Sequence, residues 1–224
     1  MPPAPTRRGI AVTTGVFAVL SMLSLAALGG RMALTGAPSY RFLAWNLFLA
    51  WVPFGLAVLM SSLHRARVSA IPLVVLGVGW LLTLPNAPYI VTDFLHVATV
   101  RSLPRWVDAG LVGLFALTGV GLGLASLVLV HRVVAERLGA RWGWTFVAAV
   151  IPLCALGIYL GRVHRFNSWD ALLNPGALVR TLLLDPAGPV SNHLALAITL
   201  AMSACLGLGY LVVWAALRAR RSGA

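Results

Sequence analysis

Asp93 and His96 stand three residues apart in the stretch Leu84-Pro85-Asn86-Ala87-Pro88-Tyr89-Ile90-Val91-Thr92-Asp93-Phe94-Leu95-His96. On a helix that spacing sets a carboxylate beside an imidazole. Such a pair can shuttle a proton as general acid and base, or offer oxygen and nitrogen to a divalent ion. With Asp108 as a third ligand, and Asp170 or His164 if the helix ends converge, the set suits zinc or manganese with a position left for water. With Tyr89 at the origin and 100° per residue, Asn86, Thr92, Asp93 and His96 lie within about 60° of it. Ile90, Val91, Phe94, Leu95 and Ala98 take the opposite arc. The plainer reading of that polar face is a short helix meeting water, with Asp93 paired to an arginine.

A second cluster follows at Gly161-Arg162-Val163-His164-Arg165-Phe166-Asn167-Ser168-Trp169-Asp170. Arg162 and Arg165 carry guanidinium forks that match an anionic headgroup or phosphate, with Asn167 and Asp170 beside them. The structural alternative is an ion pair from Arg162 or Arg165 to Asp93 or Asp170. Asn46 belongs either with Asn86 and Tyr89 in a binding pocket, or against helix carbonyls freed by proline, since amides in hydrocarbon need partners.

The elements that must position these groups are membrane helices. The 224 residues are 60% hydrophobic and 10% charged, against roughly 45–50% and 25% for soluble chains. Six apolar blocks, at 10–30, 42–60, 70–89, 107–130, 144–161 and 193–217, each approach the ~20 residues that cross a hydrocarbon core. That excludes a sizeable aqueous domain, a Rossmann or barrel enzyme and a nucleic-acid reader. The expected fold is all-α: one domain over residues 1–224, a six-span transmembrane bundle. Pro85 and Pro88 break the third helix, because its continuation would leave the carbonyls of Leu81 and Leu84 without donors. Short interfacial helices follow the fifth span, one reaching Leu173 and one from Pro175 to 184, too short to cross. Gly119 and Gly123, four apart in the fourth block, mark a close helix approach.

All 17 basic residues are arginine, giving a formal charge of +12. Ten lie in the two tails and the 61–69 and 131–143 loops, and seven in the alternate loops, among them Arg31. The bias places both termini in the cytoplasm. Four of the five acids then fall outside, near the broken helix. Thr6-Arg7-Arg8-Gly9 before a long apolar run reads as the start of an uncleaved first span rather than an export signal. The cytoplasmic halves of the spans show no ionisable residue, which argues against a solute path.

Asn46-Leu47-Phe48-Leu49-Ala50-Trp51-Val52-Pro53, Leu84-Pro85-Asn86-Ala87-Pro88-Tyr89-Ile90-Val91-Thr92-Asp93, Trp106-x-Asp108, Gly157-Ile158-Tyr159-Leu160-Gly161-Arg162 and Arg165-Phe166-Asn167-Ser168-Trp169-Asp170 resemble a bacterial membrane family, domain of unknown function 1361. The resemblance covers roughly residues 40–215. It implies a multi-pass protein of the bacterial plasma membrane with no assigned reaction, and supplies neither cofactor nor catalytic residue. The residues themselves point to an outward-facing polar pocket that binds or acts on an anionic or lipid-linked substrate at the outer leaflet. A small-solute transporter and a non-catalytic accessory or scaffold protein are the alternatives.

Overall fold

In hydrocarbon every backbone polar group must find a partner within the chain, and helices meet that demand segment by segment. The computed structural model describes residues 6–100, 103–166, 170–184 and 193–222, and these are all-helical. In chain order the α-helices are α1 Arg7–Thr35, α2 Phe42–Arg65, α3 Ala70–Thr83, α4 Asn86–Tyr89, α5 Arg105–Leu138, α6 Ala140–Tyr159, α7 Asp170–Leu173, α8 Pro175–Leu184 and α9 His193–Ser222. A 3₁₀ segment, Ile90–Ala98, follows α4, and a π-helical turn, Leu160–His164, follows α6. Among the described residues six segments are long and apolar enough to cross a bilayer, at Arg7–Thr35, Phe42–Arg65, Ala70–Ala98, Arg105–Leu138, Ala140–Val163 and Ala195–Ala219. Each contains or overlaps one of the expected blocks. The protein is a multi-pass membrane protein, and α8 at ten residues is too short to cross.

Two compact units divide at Leu129 and Val130. In the first, α2 buries a stripe of Leu43, Leu47, Ala50, Phe54, Ala57 and Met60, spaced to keep one helical face inward. It packs on α3 and α4. Two indole N–H groups tie helices together. Trp51 Nε1 donates to Ser21 Oγ at 3.0 Å, and Trp80 Nε1 to Ser126 Oγ at 3.1 Å. In the second unit α6 packs along α9.

The α-helix of the third span ends at Thr83, ahead of the prolines, and a second resumes at Asn86 without the backbone turning away. Leu84 (φ −53°, ψ −41°) and Pro85 (φ −57°, ψ −27°) keep right-handed helical backbone. The helix tightens instead. The Leu84 carbonyl, which Pro88 cannot serve, accepts from Ala87 N at 3.1 Å, and Tyr89 N reaches the Pro85 carbonyl at 3.1 Å. Beyond Tyr89 the chain runs at three residues per turn, so residues three apart eclipse. Asp93 therefore lines up with Ile90 and His96, and both Ile90 and Asp93 are buried. The amphipathic face drawn at 3.6 residues per turn had set Ile90 opposite Asp93.

Two further boundaries moved. α1 continues to Thr35, where Gly36 at φ 64° ends it, so Arg31 lies within the helix and not in a loop. α5 runs through the expected 131–143 loop to Leu138 and stops at Gly139, whose φ is 99°. Val133 to Leu138 are residues a helix tolerates, and only glycine readily takes that backbone.

The Gly119 and Gly123 notch on α5 receives the proline-bearing turn. A Cβ at Gly119 would collide with the Ala87 carbonyl oxygen, and one at Gly123 would sit 3.1 Å from the Ala87 Cβ. Gly119→Ala is therefore expected to lower stability by about 1–3 kcal/mol. Gly110→Ala, whose Cβ would meet nothing within 4 Å, should leave it unchanged. Unfolding of the detergent-solubilised protein compares the two.

Candidate functional site

Charges that remain within a membrane helix bundle must be paired, since a lone buried ion costs several kcal/mol. Arg31, 4% exposed, and Asp108, 0% exposed, meet that condition in the first unit. Arg31 Nε donates to Asp108 Oδ1 at 2.7 Å and Nη2 to Oδ2 at 3.3 Å, a forked contact. Helix ends favour both partners. Asp108 sits in the first turn of α5, and Arg31 lies one turn before the C-terminus of α1.

Tyr40 closes this pair from the α1–α2 connection. Its φ of 67° is costly for a bulky side chain, and surrounding contacts hold it there. The Arg31 guanidinium lies 4.6 Å above the ring, and the hydroxyl is within 3.4 Å of Asp108 Oδ2 and 3.3 Å of the His96 carbonyl oxygen, sharing one proton between two acceptors. Burial, then the Asp108 charge, raise the Tyr40 phenol above its ordinary value, against a lowering by Arg31. The phenol is thus held as a neutral donor.

Asp93 forms the second node, 1% exposed on the 3₁₀ segment. Asn46 Nδ2 donates to Asp93 Oδ2 at 2.8 Å. Asn46 therefore serves a carboxylate, and the Leu84 carbonyl it was expected to repair is satisfied within its own chain segment. Asn86, Tyr89 and His96 are half-buried, with the His96 ring 5.0 Å from Phe42.

Of the residues singled out by sequence, Asn46, Asn86, Tyr89, Asp93, His96 and Asp108 fall in the first unit. Arg162, His164, Arg165 and Asp170 fall in the second. Asn167, with Ser168 and Trp169, lies outside the described residues. Arg162 and His164 belong to the π-helical turn, Arg165 ends it with a left-handed backbone, and Asp170 opens α7. Among the described residues no three His, Cys, Asp or Glu side chains gather as a metal site would need. The Arg31–Asp108 pair occupies the carboxylate expected as a third ligand.

Sequence reasoning passed over four side chains. Arg31 was counted as a loop residue, although no helix breaker stands between the first apolar block and Gly36, and Tyr40, in the connection itself, was not singled out. In the second unit His131, wholly buried in α5, forms a hydrogen bond through Nδ1 with the Tyr210 hydroxyl. Its ring stacks on Trp214 at 4.6 Å and meets Trp144 edge-on at 5.0 Å. Gly143 makes room for it, since a Cβ there would stand 2.8 Å from His131 Nε2. His131 was read as a loop residue, and it lies buried within the fourth span.

Removing one partner of the buried pair, by Arg31→Gln or Asp108→Asn, should cost about 3–5 kcal/mol. Replacing both, as Arg31→Met with Asp108→Leu, should restore most of it, because no charge is then left uncompensated. Thermal unfolding and membrane yield of the three variants measure this.

No curated protein matches the chain, and no solved structure does. One family model matches, over residues 45–207. That stretch holds Asn46, the α4 turn, Asp93, Asp108 and the Arg162–Asp170 segment, and the chain belongs to the family described as "Protein of unknown function (DUF1361)".

Proposed function

We propose that the end of the first unit carrying Asp93 binds, or acts on, the polar group of an anionic or lipid-linked substrate at the outer leaflet. The observation that supports this most is the burial of Asp93 beside Asn46, at 2.8 Å, with Asn86, Tyr89 and His96 half-buried around the same segment. An ionisable residue kept within a span is expensive and points to function. Asp93, oriented by an amide, suits a substrate hydroxyl or amine, with Asn86 and Tyr89 as further hydrogen-bonding groups. Asp93 and His96 are the proposed acid–base pair. Arg162 and Arg165 in the second unit are suited to an anionic group. On this reading the protein lies in the bacterial plasma membrane with both termini cytoplasmic. A solute path is the second reading, favoured by the buried His131.

The test compares wild type, Asp93→Asn and Asp108→Asn extracted with native bilayer, with co-purified lipids identified by mass spectrometry. Asp93→Asn should stay folded and lose at least one headgroup species by about tenfold. An unchanged lipid profile, or loss of the protein from the membrane as for Asp108→Asn, would sink the reading. For orientation, a C-terminal fluorescent fusion should glow and a C-terminal alkaline phosphatase fusion stay inactive.

A further inference from the structure

The opposite end of the first unit, where α1 begins and α2 ends, carries a cavity that the reading above does not use. At 1.5 Å per residue α1 is about 43 Å long, so this end lies a membrane thickness from Arg31. The cavity is a half-open surface pocket of about 330 Å³, lined by Arg7, Ile10, Val58, Ser62, Arg65 and Ala66. That is within the range of small-ligand sites. Its lining is divided: Ile10, Val58 and Ala66 are apolar, whereas Arg7 and Arg65 bring two guanidinium groups from two helices. No carboxylate is among the lining residues.

Arg65 is held in place. Its Nη1 donates to Ser61 Oγ at 3.0 Å and its Nη2 to Ser62 Oγ at 3.3 Å. Ser62 in turn donates to the Val58 carbonyl at 2.9 Å, so its hydroxyl is fixed as an acceptor toward Arg65. A guanidinium has five N–H donors, so these two contacts leave others for a ligand while limiting the rotamers it would have to surrender. Arg7 opens α1, where the helix dipole adds partial positive charge. Arg65, in the last turn of α2, offsets the carbonyl end of that helix.

We propose that this cavity binds a phosphate group, presented by an anionic phospholipid, with Arg7 and Arg65 forking its oxygens and Ile10 and Val58 against the glycerol and upper acyl carbons. Two arginines match phosphate geometry better than scattered point charges. The apolar half of the lining favours a lipid source over free phosphate. Arg7 and Arg65 are exposed, as are their neighbours Arg8 and Arg67, and the two pairs differ in that only the first lines the pocket. Charge alone on this surface would attract an anionic membrane without specificity.

The experiment reconstitutes the full chain in nanodiscs of phosphatidylcholine with a minor fraction of phosphatidylglycerol, then counts retained lipids by native mass spectrometry. A second arm titrates inorganic phosphate into lipid-depleted protein in detergent by calorimetry. Wild type should retain phosphatidylglycerol over phosphatidylcholine. Arg7→Gln and Arg65→Gln should each reduce that retention about tenfold, and Arg8→Gln and Arg67→Gln should change it less than about twofold. Arg7-dependent and Arg65-dependent binding of inorganic phosphate without lipid preference would support the site and name free phosphate as its source. Binding in neither arm, or equal losses with Arg8→Gln and Arg67→Gln, would overturn it. Should Arg65→Gln lower the unfolding temperature, Arg7→Gln, on the other helix, decides.

Discussion

The first unit is organised around the Arg31–Asp108 ion pair. A guanidinium and a carboxylate, both almost without solvent, hold the C-terminal part of α1 against the start of α5 at 2.7 Å. In so dry a place the pair is obligatory in both directions, because either partner alone would be a buried charge. Tyr40 follows from it. The ring covers the guanidinium, the hydroxyl reaches Asp108 and the His96 carbonyl, and the connection accepts an unfavourable backbone to deliver it. Three separate parts of the chain meet through one pair of charges.

The tightened third span depends on the same economy of polar groups. Pro85 and Pro88 withdraw two donors, and the chain answers by shortening its hydrogen bonds to the 3₁₀ pattern without leaving helical dihedrals. That change of pitch turns Asp93 inward beside Ile90 and toward Asn46. Gly119 and Gly123 give the turn its seat, since a side chain at either position would meet Ala87. Prolines, glycines and the buried carboxylate therefore act as one device: the prolines set the pitch, the glycines admit the turn, and the pitch aims Asp93.

In the second unit an imidazole does comparable work among aromatic side chains. His131 is enclosed by Tyr210, Trp144 and Trp214, with Gly143 shaped to its edge. Trp45, Trp106 and Trp142 are exposed, whereas Trp214 is buried against His131.

Apolar length, arginine placement and glycine spacing by themselves determined that this chain crosses a membrane by helices, about where each crossing lies, and where α5 admits a close neighbour. These are local properties, set by hydrocarbon thickness and by the absence of a side chain. The partners of the scarce charges were not legible. Arg31 looked like loop charge because its helix boundary was drawn at the first polar residue, yet a paired arginine need not end a helix. Asp93 was marked by its residue type, but its partner and its face depended on a 3₁₀ pitch that hydrophobic periodicity at 3.6 residues per turn does not carry. Only tertiary structure decided that Asp108 belongs to Arg31, Asp93 to Asn46 and His131 to Tyr210. Pairing across long sequence separations is chosen by which helix faces come together, and that choice belongs to the packing of the whole unit.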